Sequence, residues 1–291
     1  MMFKNLLMFR ISGDWRPDLG AVELPEFLPC GPTQERSEGW VPPRGHAHGA
    51  LAECVGGQWV LRWCVETKVL PGDAVQRMVE AKCAAIEAET GRKPGRKERR
   101  DIKADVRLGL LPKALTKRYG VWVWIDPGAR LLVVDAASLI QADAILTSLV
   151  EAMPGLMPRR IQTALPPAVV MAEWLHEQIA PGAFCLGDEC ELKSIDESRA
   201  TVRYARHALE IEEIRSHLQA GKRPTKLALG WGERCQFVLT DALQIKKLAM
   251  NDVATEGRDS SEDPFDADVA LATGELSQLI QNLLGELKEQ V

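Results

Sequence analysis

The stretch VWVWIDPGARLLVVD, residues 121–135, carries the strongest hairpin signal in the chain. Two runs rich in β-branched and aromatic residues flank Asp126, Pro127 and Gly128, which are typical turn residues, so the stretch predicts a β-hairpin. A second hairpin is predicted for TKLALGW and RCQFVLT, which are joined at Gly232. Strands connected mainly by hairpins indicate an α+β fold with antiparallel sheets and flanking helices rather than a doubly wound parallel sheet.

The remaining elements follow from periodicity and from helix stop signals. Asp73 is the predicted cap of the first helix, and Gly91 its predicted stop. Alternation predicts strands at residues 58–65 and 265–273, the latter having the sequence FDADVALAT; residues 243–250 are also predicted as a strand, and residues 3–11 as a strand or a short apolar element. Helical spacing predicts helices over residues 73–90, 96–111, 138–153, 210–219 and 275–288.

Positive charge is concentrated in one segment of an otherwise acidic chain. Residues 92–118 contain eleven Lys or Arg and three acids, whereas the whole chain of 291 residues has a formal net charge of -5. Such segregation favours an electrostatic function over general solubility.

Within this segment, helical geometry separates the charges. At about 100° per residue, four bases fall in one stripe and three acids fall almost opposite. The stripe consists of Arg96, Arg100, Lys103 and Arg107, and the acids are Glu98, Asp101 and Asp105. The alternative is an ordinary solvated helix with i,i+4 ion pairs, for which Lys97 and Asp101 qualify. Because mixed charges on one face are typical of such helices, we favour binding of a polyanion.

A second basic cluster surrounds the predicted helix 210–219. Its members are Arg199, Arg203, Arg206 and His207 before the helix, and Lys222, Arg223 and Lys226 after it. The acids in the first turn suit the helix dipole, so a plain surface helix remains an alternative for this region.

The natural polyanion for such surfaces is nucleic acid, whose phosphates attract Arg and Lys in a salt-dependent manner. Aromatic residues make up only 5% of the chain. Contact with duplex DNA that does not depend on sequence is therefore favoured over stacking on single strands, although single-stranded DNA remains possible. A scaffold that grips an acidic protein is a further alternative.

Support for an enzyme is weaker. Phosphate-binding glycine loops and the G-x-S-x-G motif are absent, and seven scattered cysteines contain no C-x-x-C. Asp263, Asp266 and Asp268 could hold Mg²⁺ for phosphodiester cleavage, which makes a Mg²⁺-dependent nuclease or DNA-processing enzyme the alternative function. His46 and His48 lack a third ligand nearby. We expect no cofactor, no metal and no catalytic residues, and the lack of an apolar run of eighteen residues predicts no membrane span.

The residues themselves resemble a known family, the bacterial recombination-associated protein RdgC. The similar blocks extend over nearly the whole chain: FKNLLMFR, GWVPP, EAKCAAIEAETGRKPGRKERRDIKADV, LLPKALTKR, VWIDP, LLVVDAAS, KLALGW, RCQFVLTD and FDADVALATGELSQLIQNLL. The basic block and the FDAD…TGEL ending are long and specific.

The resemblance implies an elongated, multi-subdomain monomer that forms a ring-shaped homodimer around duplex DNA in the cytoplasm, associated with the nucleoid. It also implies antagonism of RecA in recombination and replication restart, with no enzymatic activity. By position, Arg206 and His207 match a pair directed at DNA, and Leu115 stands where relatives place an aromatic dimer contact, so it would bury less surface.

We therefore expect DNA contacts from one set of residues and an approximate division into subregions. The contacts are Arg96, Lys97, Arg100, Lys103, Arg107, Lys113, Lys117, Arg118, Arg203, Arg206 and His207. The subregions are a mixed α/β core (1–72 and 119–155), a basic helical arm (73–118) and a second α+β portion with a C-terminal helix (156–291).

Overall fold

The computed structural model describes residues 2–11, 13, 15–16, 22–196, 200–209, 211–251 and 263–290. These residues form two antiparallel sheets, of seven and five strands, and six α-helices, so the predicted α+β class with antiparallel sheets is confirmed. The strands are β1 (Leu7–Ile11), β2 (Arg36–Val41), β3 (Ala52–Val55), β4 (Gln58–Lys68), β5 (Thr116–Asp126), β6 (Leu131–Val134), β7 (Pro158–Arg160), β8 (Phe184–Lys193), β9 (Thr201–Ala205), β10 (Arg223–Trp231), β11 (Cys235–Thr240) and β12 (Ile245–Met250). The helices are α1 (Gly72–Thr90), α2 (Arg96–Leu110), α3 (Leu139–Ala152), α4 (Pro167–Glu177), α5 (Glu212–Gln219) and α6 (Pro264–Glu286).

The chain divides into two compact units. The first contains Met1–Leu24, Pro42–Leu61 and Val121–Val291, and the second contains Pro25–Val41 and Arg62–Gly120. The chain passes from one unit to the other inside β4 and inside β5.

Both predicted hairpins lie in the first unit and are confirmed. In the first hairpin Trp124 of β5 is opposite Val133 of β6, and in the second Leu229 of β10 is opposite Phe237 of β11. Strand β6 pairs with β1, and β1 pairs with β7, both antiparallel. The five-stranded sheet has the order β12–β11–β10–β8–β9.

Helices α4 and α6 supply much of the apolar core of the first unit. Trp174 of α4 stacks on Phe184 of β8, with ring centroids 6.3 Å apart, and Phe184 meets Phe237 of β11 edge to face. Helix α6 contributes a buried stripe at helical spacing: Val269, Leu276, Leu279, Ile280, Leu283 and Leu284.

The prediction of a strand at residues 265–273 was wrong, because this segment is the start of α6. Its alternation fits a strand over nine residues, but the apolar stripe from Val269 onward continues with a period of three to four. The side chain of Asp263 caps the helix by accepting a hydrogen bond from the Phe265 N–H at 3.0 Å, and Pro264 occupies the first helical position.

Helix α1 begins one residue earlier than predicted, so Asp73 does not cap it. Asp73 lies in the first turn instead and forms an exposed ion pair with Arg77 at 3.2 Å. The predicted stop is confirmed, since Gly91 has φ 70° and its N–H donates to the carbonyl of Glu87.

The second unit contains the hairpin of α1 and α2 and the pairing of β2 with the second half of β4. Residues Arg36–Val41 of β2 lie opposite Thr67–Arg62 of β4. Among the described helices of the whole chain, none is long and apolar enough to span a lipid bilayer.

Candidate nucleic-acid interface

The basic helix α2 is held against α1 by a small apolar core. Ile102 and Val106 of α2 are buried against Val75 and Val79 of α1, and partly buried apolar residues surround them. The two apolar residues of α2 are four apart and therefore share one edge of the helix. Docking through this narrow edge leaves most of the circumference of α2 exposed, and charged side chains predominate there.

The predicted basic residues in and after α2 are mostly exposed. Five of the eight have no carboxylate within 4.0 Å among the described residues: Arg96, Lys97, Lys103, Lys113 and Lys117. A cation without a carboxylate partner can bind a phosphate without breaking an existing ion pair. We call residues 92–118 the basic arm, a shorter range than the predicted helical arm because it leaves out α1. These five side chains are the part of the basic arm most available to an anion.

The remaining bases of the stripe carry acidic neighbours. The guanidinium of Arg107 is half-buried and binds the carboxylate of Glu35 at 3.0 Å. Arg100 is exposed and lies 3.9 Å from its neighbour Asp101, which is a loose pair in water. Arg107 is thus partly neutralised, whereas Arg100 stays accessible to an added anion.

Arg118 has the best-defined geometry of the predicted contacts. Its Nε donates to the carboxylate of Glu66, a group that is almost completely buried, and its guanidinium lies 5.2 Å from the ring centroid of Phe27. The hydrogen bond from Arg118, followed by that from the Cys30 N–H at 2.7 Å, lowers the pKa of Glu66. The buried carboxylate therefore stays charged and fixes the orientation of a half-exposed guanidinium.

Arg99 belongs to the same surface and was missing from the sequence-based set. It is exposed, and no carboxylate pairs with it in the part of the chain that the structure describes. The predicted stripe excluded Arg99 because it lies about 60° from Arg96 on the helical projection. Docking of α2 along Ile102 and Val106 leaves Arg99 accessible nonetheless.

Leu115 lies between the end of α2 and β5, and its side chain is 82% exposed. Its carbonyl accepts a hydrogen bond from the N–H of Val69, which is itself an exposed apolar residue. An apolar side chain exposed to this degree suits a protein contact, and the role of Leu115 in a dimer stays a prediction.

The second basic cluster belongs to the first unit. Arg206 and His207 are exposed at the end of β9, where Arg206 has φ 56°. Arg203 is also exposed but binds the carboxylate of Glu189 at 2.8 Å, which Lys247 contacts as well at 2.6 Å. Arg199 and residue 210 lie outside the described residues.

Two of the three acidic residues that suggested a Mg²⁺ site bind an arginine instead. The guanidinium of Arg44 binds Asp263 at 2.7 Å and Asp266 at 2.6 Å, and it also pairs with Glu53 and packs over the ring of Phe265. The described residues contain no cluster of three or more potential metal ligands. On the predicted strand Asp266 and Asp268 would share one face, but in α6 they point in different directions, since residues two apart on a helix diverge by about 200°.

Comparison with known proteins reveals similarity over the whole length of the chain. A family model whose description reads "Putative exonuclease, RdgC" matches residues 1–290. A relative from Cupriavidus pinatubonensis is 40% identical over 99% of this chain and 97% of its own length. Relatives from Herminiimonas arsenicoxydans and Bordetella pertussis are 38% and 36% identical, each over 99% of this chain and 98% of the relative. All three are named recombination-associated protein RdgC.

Proposed function

Because the chain belongs to the RdgC family, we propose that it binds duplex DNA through the phosphate backbone, with little dependence on base sequence. The observation that carries this proposal is the basic arm, where five exposed cations lack a carboxylate within 4.0 Å among the described residues. They are Arg96, Lys97, Lys103, Lys113 and Lys117. Arg99, Arg100 and the oriented guanidinium of Arg118 extend the same surface.

The chemistry of these residues suits positioning on DNA rather than reading of bases. Lys and Arg neutralise phosphates and release condensed counterions, which gives affinity without sequence information. Helix α2 carries Arg96, Arg100 and Lys103 about one turn apart, so consecutive side chains can follow a phosphate backbone. Arg203, Arg206 and His207 form a second contact in this proposal, with Glu189 competing with phosphate for Arg203.

We further propose that two copies of the chain enclose the duplex as a homodimer and that Leu115 contributes to one contact between them. Enclosure would keep a protein on DNA with backbone contacts only and would allow it to slide. DNA occupied in this way is less accessible to RecA, so the protein would restrain RecA-dependent recombination and take part in replication restart at the nucleoid.

The direct test is fluorescence anisotropy with two duplexes of equal length and unrelated sequence, each titrated at two salt concentrations. The proposal expects similar affinities for the two duplexes and a steep loss of affinity at the higher salt concentration. A strong preference for one sequence, or affinity that does not depend on salt, would contradict it. A parallel titration with single-stranded DNA measures whether the protein prefers single-stranded or duplex DNA.

The alternative is exonuclease activity, which the description of the family model names. Two of the candidate ligands, Asp263 and Asp266, are bound by Arg44, which favours a structural role for them. Incubation of end-labelled DNA with excess protein and Mg²⁺ separates the two functions. Intact DNA supports binding alone, whereas shortening that is lost in the Asp263→Asn, Asp266→Asn variant would establish the enzyme.

A further inference from the structure

A cleft of about 730 Å³ opens in the first unit beside the paired strands β1 and β7, and the turn after β5 and the last described residues of the chain also line it. Its described lining has a formal charge of +3. The charged residues are Arg10, Arg130, Arg159, Arg160 and Glu289. None of them belongs to the basic arm or to the cluster around Arg206, so the proposed function leaves this charge unexplained.

Two of the arginines face each other across a strand pair. Arg10 of β1 lies directly opposite Arg159 of β7, and residues in that relation point to the same face of the sheet. Like charges at directly opposite positions repel each other and destabilise the pairing. An anion bound on that face would reduce the repulsion between the two guanidinium groups.

Glu289 is the only carboxylate among the described residues that line the cleft, and it is bound by Arg10. Glu289 accepts from Nε and Nη2 of Arg10 at 2.6 and 2.5 Å, and Nη1 of Arg10 donates to the carbonyl of Ala129 at 2.8 Å. All three nitrogens of Arg10 are therefore used inside the fold. Arg159 is exposed, and no described carboxylate lies within 4.0 Å of it, so its charge is not balanced by an ion pair within the described chain.

Two further arginines, Arg130 and Arg160, line the cleft, but Arg160 follows Arg159 in β7, so its side chain points to the opposite face of the sheet. Arg130 has φ 52°, a conformation uncommon for residues other than Gly, Asn and Asp, and its carbonyl accepts from the Ile11 N–H at 2.9 Å. Arg160 reaches the carbonyl of Ala242 through one long hydrogen bond of 3.4 Å.

We propose that this cleft binds a phosphate-bearing ligand of the size of a nucleoside phosphate, with Arg159 as its principal anion contact. Guanidinium groups match phosphate oxygens in a bidentate fashion, and the volume lies in the range of small-molecule sites. The fixed Arg10–Glu289 pair forms a wall of the cleft on the same face of the sheet as Arg159. The phosphate comes either from a free nucleotide or from the backbone of DNA.

Isothermal titration calorimetry of the full chain with pyrophosphate and with adenosine 5′-diphosphate at low ionic strength tests this site. We expect saturable binding of both probes, and a loss of at least about tenfold in affinity for Arg159→Gln, since hydrogen bonds to charged groups are among the strongest. Arg77→Gln removes an exposed arginine of α1 that is paired with Asp73 and does not line the cleft, and it is expected to leave both affinities unchanged. Equal melting temperatures of the two variants without ligand exclude a folding effect.

Titration of the same variants with duplex DNA distinguishes the two sources of the phosphate, a free nucleotide and the DNA backbone. If Arg159→Gln weakens duplex binding as well, the cleft contacts DNA; if it weakens only the two small probes, the ligand is a free phosphate compound. The variant Arg96→Gln, Arg100→Gln, Lys103→Gln is expected to keep pyrophosphate binding, which distinguishes this site from the basic arm. Absence of saturable pyrophosphate binding, or unchanged binding in Arg159→Gln, would overturn the proposal whatever the outcome for duplex DNA.

Discussion

Glu66 and Arg118 form an ion pair in which the carboxylate side chain is 2% exposed and the guanidinium side chain 55% exposed. Only Nε of Arg118 is engaged, so its two terminal nitrogens lack a hydrogen-bond acceptor among the described residues. A buried acid thus orients an arginine without occupying the nitrogens that would meet a phosphate. The same pair therefore contributes to the stability of the fold and orients a cation for phosphate binding.

Arg118→Gln should destabilise the protein, because it leaves the carboxylate of Glu66 buried without its cationic partner. Urea denaturation is the measurement, and the unfolding midpoint should fall. The control is the neighbouring Lys117→Gln, which removes an exposed cation without an ion-pair partner among the described residues and should change the free energy of unfolding by no more than about 0.5 kcal/mol. Equal midpoints for the two variants would contradict this role of Glu66.

Acid should weaken the five-stranded sheet through Glu191. The hydrogen bond from Lys226 at 2.8 Å, against the opposing effect of burial, holds the pKa of Glu191 at about 2 instead of its ordinary 4.5. A carboxyl whose pKa is lower in the folded state stabilises the protein above the unfolded pKa and loses that contribution as pH falls. Stability should therefore decline between pH 4.5 and about pH 2.

The variant Glu191→Gln tests this assignment by equilibrium unfolding at a series of pH values. Its stability should be lower than that of the wild type at pH 7, and the difference should shrink as the pH falls below 4.5. A difference that stays constant down to about pH 2 would show that another group is responsible.

Asp263→Ala should destabilise the protein by about 1 kcal/mol, because it removes the hydrogen bond that caps α6. It also removes one of the carboxylates bound by Arg44. Asp73→Ala is the matched comparison, since Asp73 lies in the first turn of α1 without capping it and its pair with Arg77 is exposed. Thermal unfolding should show the larger loss for Asp263→Ala, and the reverse order would contradict the assigned cap.

Leu115→Asp should weaken self-association, because it places a charge in the proposed apolar contact. Sedimentation equilibrium measures the dissociation constant of the dimer. Ile140→Asp is the comparison, since Ile140 of α3 is 90% exposed and has no role in the proposed contact. An unchanged association constant for Leu115→Asp would remove this residue from the interface.

Most of the fold follows from local sequence patterns, since hairpins and helix stops depend on neighbouring residues. The turn after Asp126 and the stop at Gly91 are local signals of this kind, and both are confirmed. The start of α6 was mistaken because alternation over residues 265–273 resembles a strand, and only the longer stripe from Val269 to Leu284 reveals the helix. A window of about nine residues does not distinguish the strand period of two from the helix period of 3.6.

The chemistry of the site depends on partners distant in sequence, which patterns do not reveal. Charge counting identified the basic arm, but it could not show that Glu66 holds Arg118 from 52 positions away or that Arg44 binds Asp266 from 222 positions away. The arginine cleft was missed for the same reason, because Arg10 and Arg159 become neighbours only when β1 pairs with β7.

The most direct test of the central claim is the salt dependence of duplex affinity for the wild type and for Arg96→Gln, Arg100→Gln, Lys103→Gln. The slope of log K against log salt should decrease in magnitude by roughly 0.9 for each phosphate that the variant no longer neutralises, and the decrease should be equal for unrelated sequences. The control Arg77→Gln changes an exposed arginine of α1 that is paired with Asp73, and its slope should match the wild type. An unchanged slope in the triple variant would contradict phosphate binding by the basic arm.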